Sequence, residues 1–269
     1  MAMTVLEEIV QKKKEAVARA KDFMPEAQLR RMAAERVIYF DFESAVTRQT
    51  DGPVRIIAEI KHASPSKGVL TDDFEPVAIG SAYQEAGVDA ISVLTEEDYF
   101  KGKLGYIDRL RQADVKLPIL RKDFIFDSYQ VVESAAAGAD ALLLIVAILD
   151  KAALTDLCEA AVELGLAPVV EVFNEKELEL ALDLRYGAIQ INNRDLRDFK
   201  VRIENTETLM QSIPAKISRP IISASGFFKR ADVERVERAG VDAVLVGESL
   251  MRQPDSAAVA NKVRELRGS

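Results

Sequence analysis

Short apolar runs recur along the chain, and several of them follow a helical pattern that ends at glycine. AGVDA at 86–90, AGADA at 137–141 and AGVDA at 239–243 lead directly into the apolar runs ISVL, LLLI and VLVG. A looser copy of the same helix-to-strand pattern, LRYGAIQIN, lies at 184–192. A helix that ends at glycine and passes at once into a buried strand is typical of a parallel sheet. The repeats therefore predict four strands.

Four further apolar runs each follow a proline, and they are VRIIAEIK after Pro53, ILRK after Pro118, VVEV after Pro168 and IISAS after Pro220. Because proline donates no ladder hydrogen bond, the start of a strand is where a sheet tolerates it. The two sets together predict about eight strands separated by helices. Eight βα units of similar size indicate a (β/α)8 barrel, with an open, doubly wound sheet as the alternative.

The region before the first strand, residues 1 to about 50, is predicted to be an N-terminal helical extension. Leu6, Ile9, Val10 and Val17 recur in it at helical spacing. We expect two or three helices that pack against one end of the barrel. The whole chain of 269 residues, 48% of them hydrophobic, is predicted to form one barrel domain over 1–269, because α/β barrels of about 250 residues fold as one unit.

Polar side chains interrupt the apolar strands near their carboxyl ends. Alternate residues of a strand share a face, which groups Glu59 with Lys61 in the first strand. The other polar residues on such faces are Lys122, Glu171, Gln190, Asn192 and Arg194. A charge deep in an apolar interior would cost several kcal/mol, whereas at the mouth of a barrel it stays partly hydrated. Residues at that mouth are typically catalytic. Structural ion pairs are the alternative, which a cluster of two lysines and two glutamates disfavours.

The last two strands end in SASGF (223–227) and VGESLM (246–251), which are rich in small residues. Loops after the seventh and eighth strands are the usual phosphate site of this fold, and free N–H groups of a short helix would assist there. The loop after the first strand adds Ser64, Ser66 and Lys67 beside the same mouth. The sequence therefore predicts a phosphorylated small-molecule ligand.

The charge balance restricts the possible partners. Thirty-six Lys and Arg residues against 44 Asp and Glu residues give a net charge of −8, which is unfavourable for binding nucleic acid or an anionic membrane. The sequence contains no run of about 18 apolar residues, so no membrane span is expected. The N-terminal segment lacks the apolar core of a signal peptide. A single cysteine, Cys158, fits a reducing compartment, so we expect a cytoplasmic protein.

Metal and dinucleotide sites are not predicted. The one histidine, His62, points away from the face of Lys61, and Cys158 lies in a helical pattern where a small buried side chain is expected. Together they cannot supply a metal site. No GxGxxG motif follows a strand.

Taken in order along the chain, five motifs resemble the indole-3-glycerol phosphate synthase family of tryptophan biosynthesis. They are IIAEIKHASPSKG (56–68), SVLTEEDYFKG (92–102), LPILRKDFIFDSYQ (117–130), INNRDL (191–196) and AVLVGESLM (243–251). The resemblance covers essentially the whole chain, the helical extension included. It implies ring closure, decarboxylation and dehydration of 1-(2-carboxyphenylamino)-1-deoxyribulose 5-phosphate. Because no step is a redox step, no cofactor is expected.

The resemblance also implies roles for the residues of the mouth. Lys122 would be the general acid and Lys61 would hold the substrate carboxylate. Glu171 and Glu59 would serve the dehydration, with Lys61 as a further candidate acid. The residues implied in orientation and substrate binding are Asn192 and Arg194 for the reacting groups and sugar hydroxyls, Phe124 and Leu143 for the anthranilate ring, and Ser64, Ser225, Gly226, Gly247 and Glu248 for the phosphate.

Three positions depart from the family pattern. Ala224 stands where the family usually has Glu, Phe173 where His is common, and Gln190 where Gly is common. The first departure bears on the rate or the mechanism. Two other hypotheses therefore stay open: a phosphoribosylanthranilate isomerase, which would want a Cys where Glu59 and Lys61 stand, and a barrel that binds a phosphosugar without turnover. The sequence is silent on oligomeric state and on protein partners.

Overall fold

The computed structural model describes residues 3–50, 52–65, 67–71, 73–195, 200–215 and 217–268. Eight parallel strands close into a barrel, and they are β1 (Arg55–Ile60), β2 (Ala90–Leu94), β3 (Ile119–Lys122), β4 (Ala141–Ile145), β5 (Ala167–Val172), β6 (Ala188–Asn192), β7 (Ile221–Ala224) and β8 (Ala243–Val246). The barrel is closed by β8, which pairs with β1 from Arg55 opposite Ala243 to Ala58 opposite Val246. The predicted (β/α)8 barrel is confirmed, and the open sheet is wrong because an open sheet would leave these two strands unpaired.

Helices flank the strands. They are α1 (Val5–Phe23), α2 (Glu26–Ala34), α3 (Phe42–Val46), α4 (Pro76–Glu85), α5 (Gly105–Gln112), α6 (Ser128–Ala136), α7 (Lys151–Glu163), α8 (Glu175–Leu182), α9 (Glu204–Leu209), α10 (Arg230–Ala239), α11 (Glu248–Met251) and α12 (Ser256–Arg267). A small hairpin, Ala63–Ser64 with Gly68–Val69, follows β1. None of the helices in the described ranges is long and apolar enough to cross a bilayer.

The AG(V/A)DA repeats have a structural explanation at the joints between helices and strands. Their glycines, Gly87, Gly138 and Gly240, adopt positive φ angles of 73°, 89° and 97°. Their aspartates each accept a hydrogen bond of 2.8 Å from the N–H of a residue in the preceding strand: Asp89 from Ile56, Asp140 from Ile119 and Asp242 from Ile221. The glycine turns the chain and the aspartate ties neighbouring strands together, which is why the motif recurs.

The N-terminal extension reaches both ends of the barrel. The short helix α3 lies where the strands begin, where the N–H of Arg48 donates to Asp242 at 3.1 Å, and its Phe42 and Val46 belong to the apolar cluster of the barrel interior. Helix α1 lies at the opposite end, where Lys13 pairs with Asp123 at 2.7 Å just after β3. The extension is therefore more than long enough to cover one end, since α1 and α3 are separated by α2, which packs on α6 along the side of the barrel.

Candidate active site

The polar ends of the strands line a cleft at the carboxyl end of the barrel, and the cleft has two adjoining lobes. The outer lobe contains the side chains or backbone of Glu59, Lys61, Ser64, Phe100, Lys122, Asn192, Arg194, Ala224, Ser225, Gly226, Gly247 and Glu248. The inner lobe is lined by Leu94, Phe100, Lys122, Asp123, Phe124, Leu143, Ile145, Glu171 and Asn192. All thirteen residues predicted for the site therefore line one lobe or the other. Lys122, Asn192 and Phe100 line both and mark the junction.

Glu59 and Lys61 form an ion pair in the outer lobe, as expected for side chains two residues apart on one face of β1. Burial by itself raises the pKa of Glu59, but the ammonium groups of Lys61 and Lys122 outweigh it and hold that pKa below its ordinary value. Glu59 is therefore ionised at neutral pH. The two lysines and this carboxylate form one coupled electrostatic group.

Lys122 is the last residue of β3 and stands between the lobes. Its side chain is half-buried and, within the described ranges, has no hydrogen-bond or ion-pair partner. Asp123, the next residue, points away from it into a buried network. An ammonium group that the protein leaves without a partner at the junction of two lobes is available to a ligand that occupies both.

Glu171 ends up almost fully buried in the inner lobe, where its Oε2 accepts a hydrogen bond of 2.6 Å from the amide of Gln190 on the neighbouring strand. Asn192 stands two residues further along β6. Its Oδ1 accepts hydrogen bonds from the hydroxyl of Ser225 at 3.1 Å and from the N–H of Arg194 at 3.0 Å. Asn192 thus connects the lobe junction to the loop after β7.

The loop after β7 has a left-handed backbone. Ser225 has a φ of 76° and Gly226 a φ of 103°, a region that costs a β-carbon-bearing residue free energy. A β carbon on Gly226 would also lie 2.8 Å from Cγ1 of Val201. The amide of Asn193 holds the loop by donating to the carbonyl of Ser225 at 3.0 Å. The glycine is required here both by its conformation and by space.

The loop after β8 starts α11, the short helix that the sequence predicts. Its first internal hydrogen bonds run from Leu250 and Met251 to the carbonyl of Gly247, so the N–H groups at the start of the helix lack helical acceptors. The carboxylate of Glu248 pairs with Arg252 at 2.7 Å. Glu248 therefore lines the outer lobe with its side chain already paired.

Aromatic and aliphatic side chains form the wall of the inner lobe. Phe124 and Leu143 lie there as predicted, and Phe100 packs against Phe124 with ring centroids 6.3 Å apart. Phe100 was not predicted from the sequence. The buried carboxylate of Glu96 accepts three backbone hydrogen bonds from residues 98, 99 and 100, which fixes the loop that carries this ring. The adjacent acidic residues Glu96 and Glu97 in TEEDYF were the sequence feature that could have pointed to this loop.

Sequence reasoning also missed the network behind Lys122. Asp123 is buried and accepts hydrogen bonds from Lys13 at 2.7 Å, Thr95 at 2.6 Å and Arg121 at 3.0 Å. Burial raises the pKa of Asp123, but Lys13 and Arg121 outweigh burial and bring that pKa to about 2. Strand alternation alone indicates that Arg121 and Asp123 face away from the interior, but only the fold brings Lys13 of α1 to them.

The remaining predicted residues lie away from the lobes or at their edge. His62 stacks on Phe74 with ring centroids 4.5 Å apart and lines neither lobe. Cys158 is buried in α7, and burial raises the pKa of its thiol to about 12. Lys67 is exposed and lines neither lobe. Ser66 lies outside the described residues.

With this geometry in place, comparison with known proteins identifies the family. The family model of indole-3-glycerol phosphate synthase matches residues 6–266. An indole-3-glycerol phosphate synthase of Caldanaerobacter subterraneus subsp. tengcongensis is 46% identical over 264 residues, which cover 98% of this chain and 99% of the relative. The enzyme of that name from a Roseiflexus species is 43% identical over 270 residues, with 98% of each chain covered.

Solved structures support the fold alone, because their sequence identities are low. A 3-hexulose-6-phosphate synthase from Salmonella typhimurium has a TM-score of 0.63 at 16% identity, covering 80% of this chain and 97% of that chain. A mutant tryptophan synthase alpha-subunit from Pyrococcus furiosus has a TM-score of 0.62 at 16% identity, and the match covers 81% of this chain and 99% of that chain. The motifs, the barrel and the near-complete match to the family model lead to one conclusion: the chain belongs to the indole-3-glycerol phosphate synthase family.

Proposed function

We propose that this protein converts 1-(2-carboxyphenylamino)-1-deoxyribulose 5-phosphate to indole-3-glycerol phosphate, carbon dioxide and water. The observation that carries the proposal is the position of Lys122 at the junction of an apolar inner lobe and a polar outer lobe, where its ammonium group has no hydrogen-bond or ion-pair partner among the described residues. The substrate has the same division: an aromatic ring at one end, a phosphate at the other and a ketone between them. Its ketone would therefore lie beside Lys122.

Ring closure is the step that Lys122 serves. The ammonium group donates its proton to the ketone oxygen as the aromatic carbon that bears the carboxylate attacks the carbonyl carbon. A carbon–carbon bond forms and the carbonyl becomes a hydroxyl. Phe124, Leu143 and Phe100 hold the ring in the inner lobe, and Lys61 binds the carboxylate electrostatically until it leaves.

Decarboxylation and dehydration follow. The bond to the carboxylate breaks, carbon dioxide departs, and the electron pair returns to the ring system. An acid then protonates the new hydroxyl so that it leaves as water, while a base removes one of the two protons from the carbon next to nitrogen to give the indole. Glu171 in the inner lobe and Glu59 in the outer lobe are the carboxyl groups for this step, with Lys61 as a further acid.

The phosphate belongs in the outer lobe, between the loops after β7 and β8. Ser64, Ser225 and Gly226 line that part of the cleft together with Gly247 and the backbone of Glu248. Loops after the seventh and eighth strands commonly bind phosphate in this fold. Arg194 and Asn192, beside them, orient the sugar hydroxyls. We expect inorganic phosphate to inhibit competitively, and inhibition that is not competitive would place the phosphate elsewhere.

The deciding experiment follows the fluorescence of indole-3-glycerol phosphate after addition of the substrate to purified protein, with release of one carbon dioxide per product as a second measurement. Formation of indole-3-glycerol phosphate together with an equal amount of carbon dioxide supports the proposal. Binding of the substrate without product would favour a phosphosugar-binding barrel without turnover. Product formed instead from phosphoribosylanthranilate would favour the isomerase. The protein is expected to act in the cytoplasm on this small phosphorylated substrate.

A further inference from the structure

Gln190 is a buried polar side chain that the packing of the barrel does not explain. It points inward from β6 and is fully inaccessible to solvent, as are the neighbouring interior residues Ala188 and Ile222. A polar amide in such surroundings is costly unless its hydrogen-bonding groups are satisfied.

The donor half of the Gln190 amide is engaged by a site residue. Nε2 lies 2.6 Å from Oε2 of Glu171, and the two residues are register partners on β6 and β5. Hydrogen bonds to a carboxylate are shorter and stronger than those between neutral groups. The contact fixes one oxygen of Glu171 and the rotation of its carboxyl group, which leaves the other oxygen for a ligand in the inner lobe.

The acceptor half of the same amide has no partner among the residues that the structure describes. Oε1 of Gln190 is buried and forms no hydrogen bond within the described part of the chain. A half-turn about the last side-chain bond would exchange Oε1 for Nε2 in front of Glu171. An amide can therefore donate to the ionised carboxylate in one orientation and accept from the protonated carboxyl in the other.

We infer that Gln190 is a positioning residue for Glu171, which holds this carboxyl group in one orientation whether or not it carries a proton. This inference rests on the proposed function, in which Glu171 exchanges a proton during dehydration. Gln190 itself does not line either lobe, so its effect reaches the substrate only through Glu171.

The charged groups around Glu171 determine what a pH measurement would report. Lys122 shares the inner lobe with it, and Asp123 lines that lobe while its carboxylate is held in the network with Lys13 and Arg121. Glu59, Lys61 and Arg194 lie in the outer lobe. The amide can bond to both forms of Glu171, but its hydrogen bond to the ionised carboxylate is the stronger of the two, so on balance it favours the ionised form. Loss of the Gln190 amide should therefore shift the limb of the pH–rate profile that depends on Glu171 to higher pH. A shift of the acidic limb would identify Glu171 as the base, and a shift of the basic limb would identify it as the acid.

The experiment begins with the wild-type protein in the product-fluorescence assay, because an inactive wild type would refute the proposed function and not this inference alone. Gln190→Met then removes the amide while it keeps the length of the side chain. We expect kcat to fall about tenfold or more, KM to change less than about twofold, and one limb of the pH profile to move to higher pH. Unchanged kcat and an unchanged profile would overturn the inference.

Two further variants separate positioning from a structural effect. Ser92→Ala is the matched control, since the Ser92 hydroxyl is also buried without a hydrogen-bond partner in the described chain and lines neither lobe, and we expect wild-type kinetics. Gln190→Glu places a second carboxyl against Glu171, and one of the two must then keep a proton. As the pH is raised, the activity of this variant should begin to fall at a lower pH than the activity of the wild type. A wild-type pH profile in this variant would overturn the inference even if Gln190→Met failed to fold.

Discussion

Gly247 lies directly against the carboxylate of Glu59: a β carbon built on this glycine would be 2.3 Å from Oε2 of Glu59 and 3.0 Å from Nζ of Lys61. The distance to Glu59 is too short for a real contact and the distance to Lys61 is tighter than most, so any side chain at 247 must displace the ion pair. The glycine after β8 therefore has two functions. It brings the start of α11 to the phosphate part of the outer lobe, and it leaves the space that Glu59 and Lys61 occupy.

Gly247→Ala is accordingly expected to lower kcat/KM by about tenfold or more while the free energy of unfolding changes little. A single methyl group would push Glu59 and Lys61 out of position, and a misplacement of about 1 Å at a reacting centre costs up to a hundredfold in rate. Gly105→Ala is the control, because its added β carbon would meet nothing within 4 Å. Equal kinetics for the two variants would show that the ion pair tolerates displacement.

Lys122→Met is expected to abolish measurable turnover without unfolding the protein. Removal of a general acid costs roughly 10²–10⁴-fold in rate, and within the described residues the ammonium group forms no hydrogen bond or ion pair whose loss would destabilise the barrel. The control is Lys116→Met, because Lys116 is an exposed lysine in the loop before β3, and among the described residues its ammonium group pairs with Asp114 on the surface. A Lys122→Met enzyme within threefold of the wild-type kcat would remove Lys122 from the acid role.

Lys13→Met is expected to lower the free energy of unfolding by about 2 kcal/mol or more, because it leaves the buried carboxylate of Asp123 without one of its two cations. Lys21 lies on the same helix as Lys13 and forms an exposed ion pair with Asp127. Lys21→Met should therefore lower the free energy of unfolding by less than about 1 kcal/mol. Urea unfolding of both variants measures the difference. Equal losses would mean that burial of the Asp123 network contributes nothing.

The pH dependence of the same network has a defined sign. The pKa of Asp123 falls from an ordinary value of 3.8 to about 2 in the folded protein, so its stabilisation is fully present above about pH 4 and is lost as the pH drops towards 2. Asp123→Asn should therefore be less stable than the wild type at pH 7, and the gap should narrow between pH 4 and pH 2. A constant gap across that range would contradict the assignment of the ionised state.

Ala224→Glu is expected to shift the basic limb of the kcat–pH profile to higher pH. Ala224 lines the outer lobe between Asn192 and Leu245 on the neighbouring strands, and the carboxylate of Glu248 in the same lobe is paired with Arg252. A carboxylate there would favour the protonated form of nearby lysines. Ala257→Glu, the same change on the exposed surface of α12, is the control. An inactive wild type that gains turnover through Ala224→Glu would instead indicate a disabled active site.

Much of the site could be predicted because it depends on local backbone periodicity. Alternation along β1 places Glu59 and Lys61 on one face whatever the rest of the chain does, and the carboxyl ends of parallel strands meet at one end of the barrel. The same reasoning groups Lys122, Glu171 and Asn192. The repeated aspartates are a local feature too, although their hydrogen bonds to the preceding strands became visible only in the structure.

Contacts between distant parts of the chain were decided by the tertiary structure. Barrel closure pairs β8 with β1 and thereby brings Gly247 onto Glu59, α1 brings Lys13 to Asp123, and the register of β5 and β6 sets Gln190 against Glu171. The sequence by itself determined which residues face the barrel interior and which family the chain resembles, because strand periodicity and motifs are local properties. Which of those residues touch was decided by the closure and register of the barrel, because these depend on the packing of the whole chain.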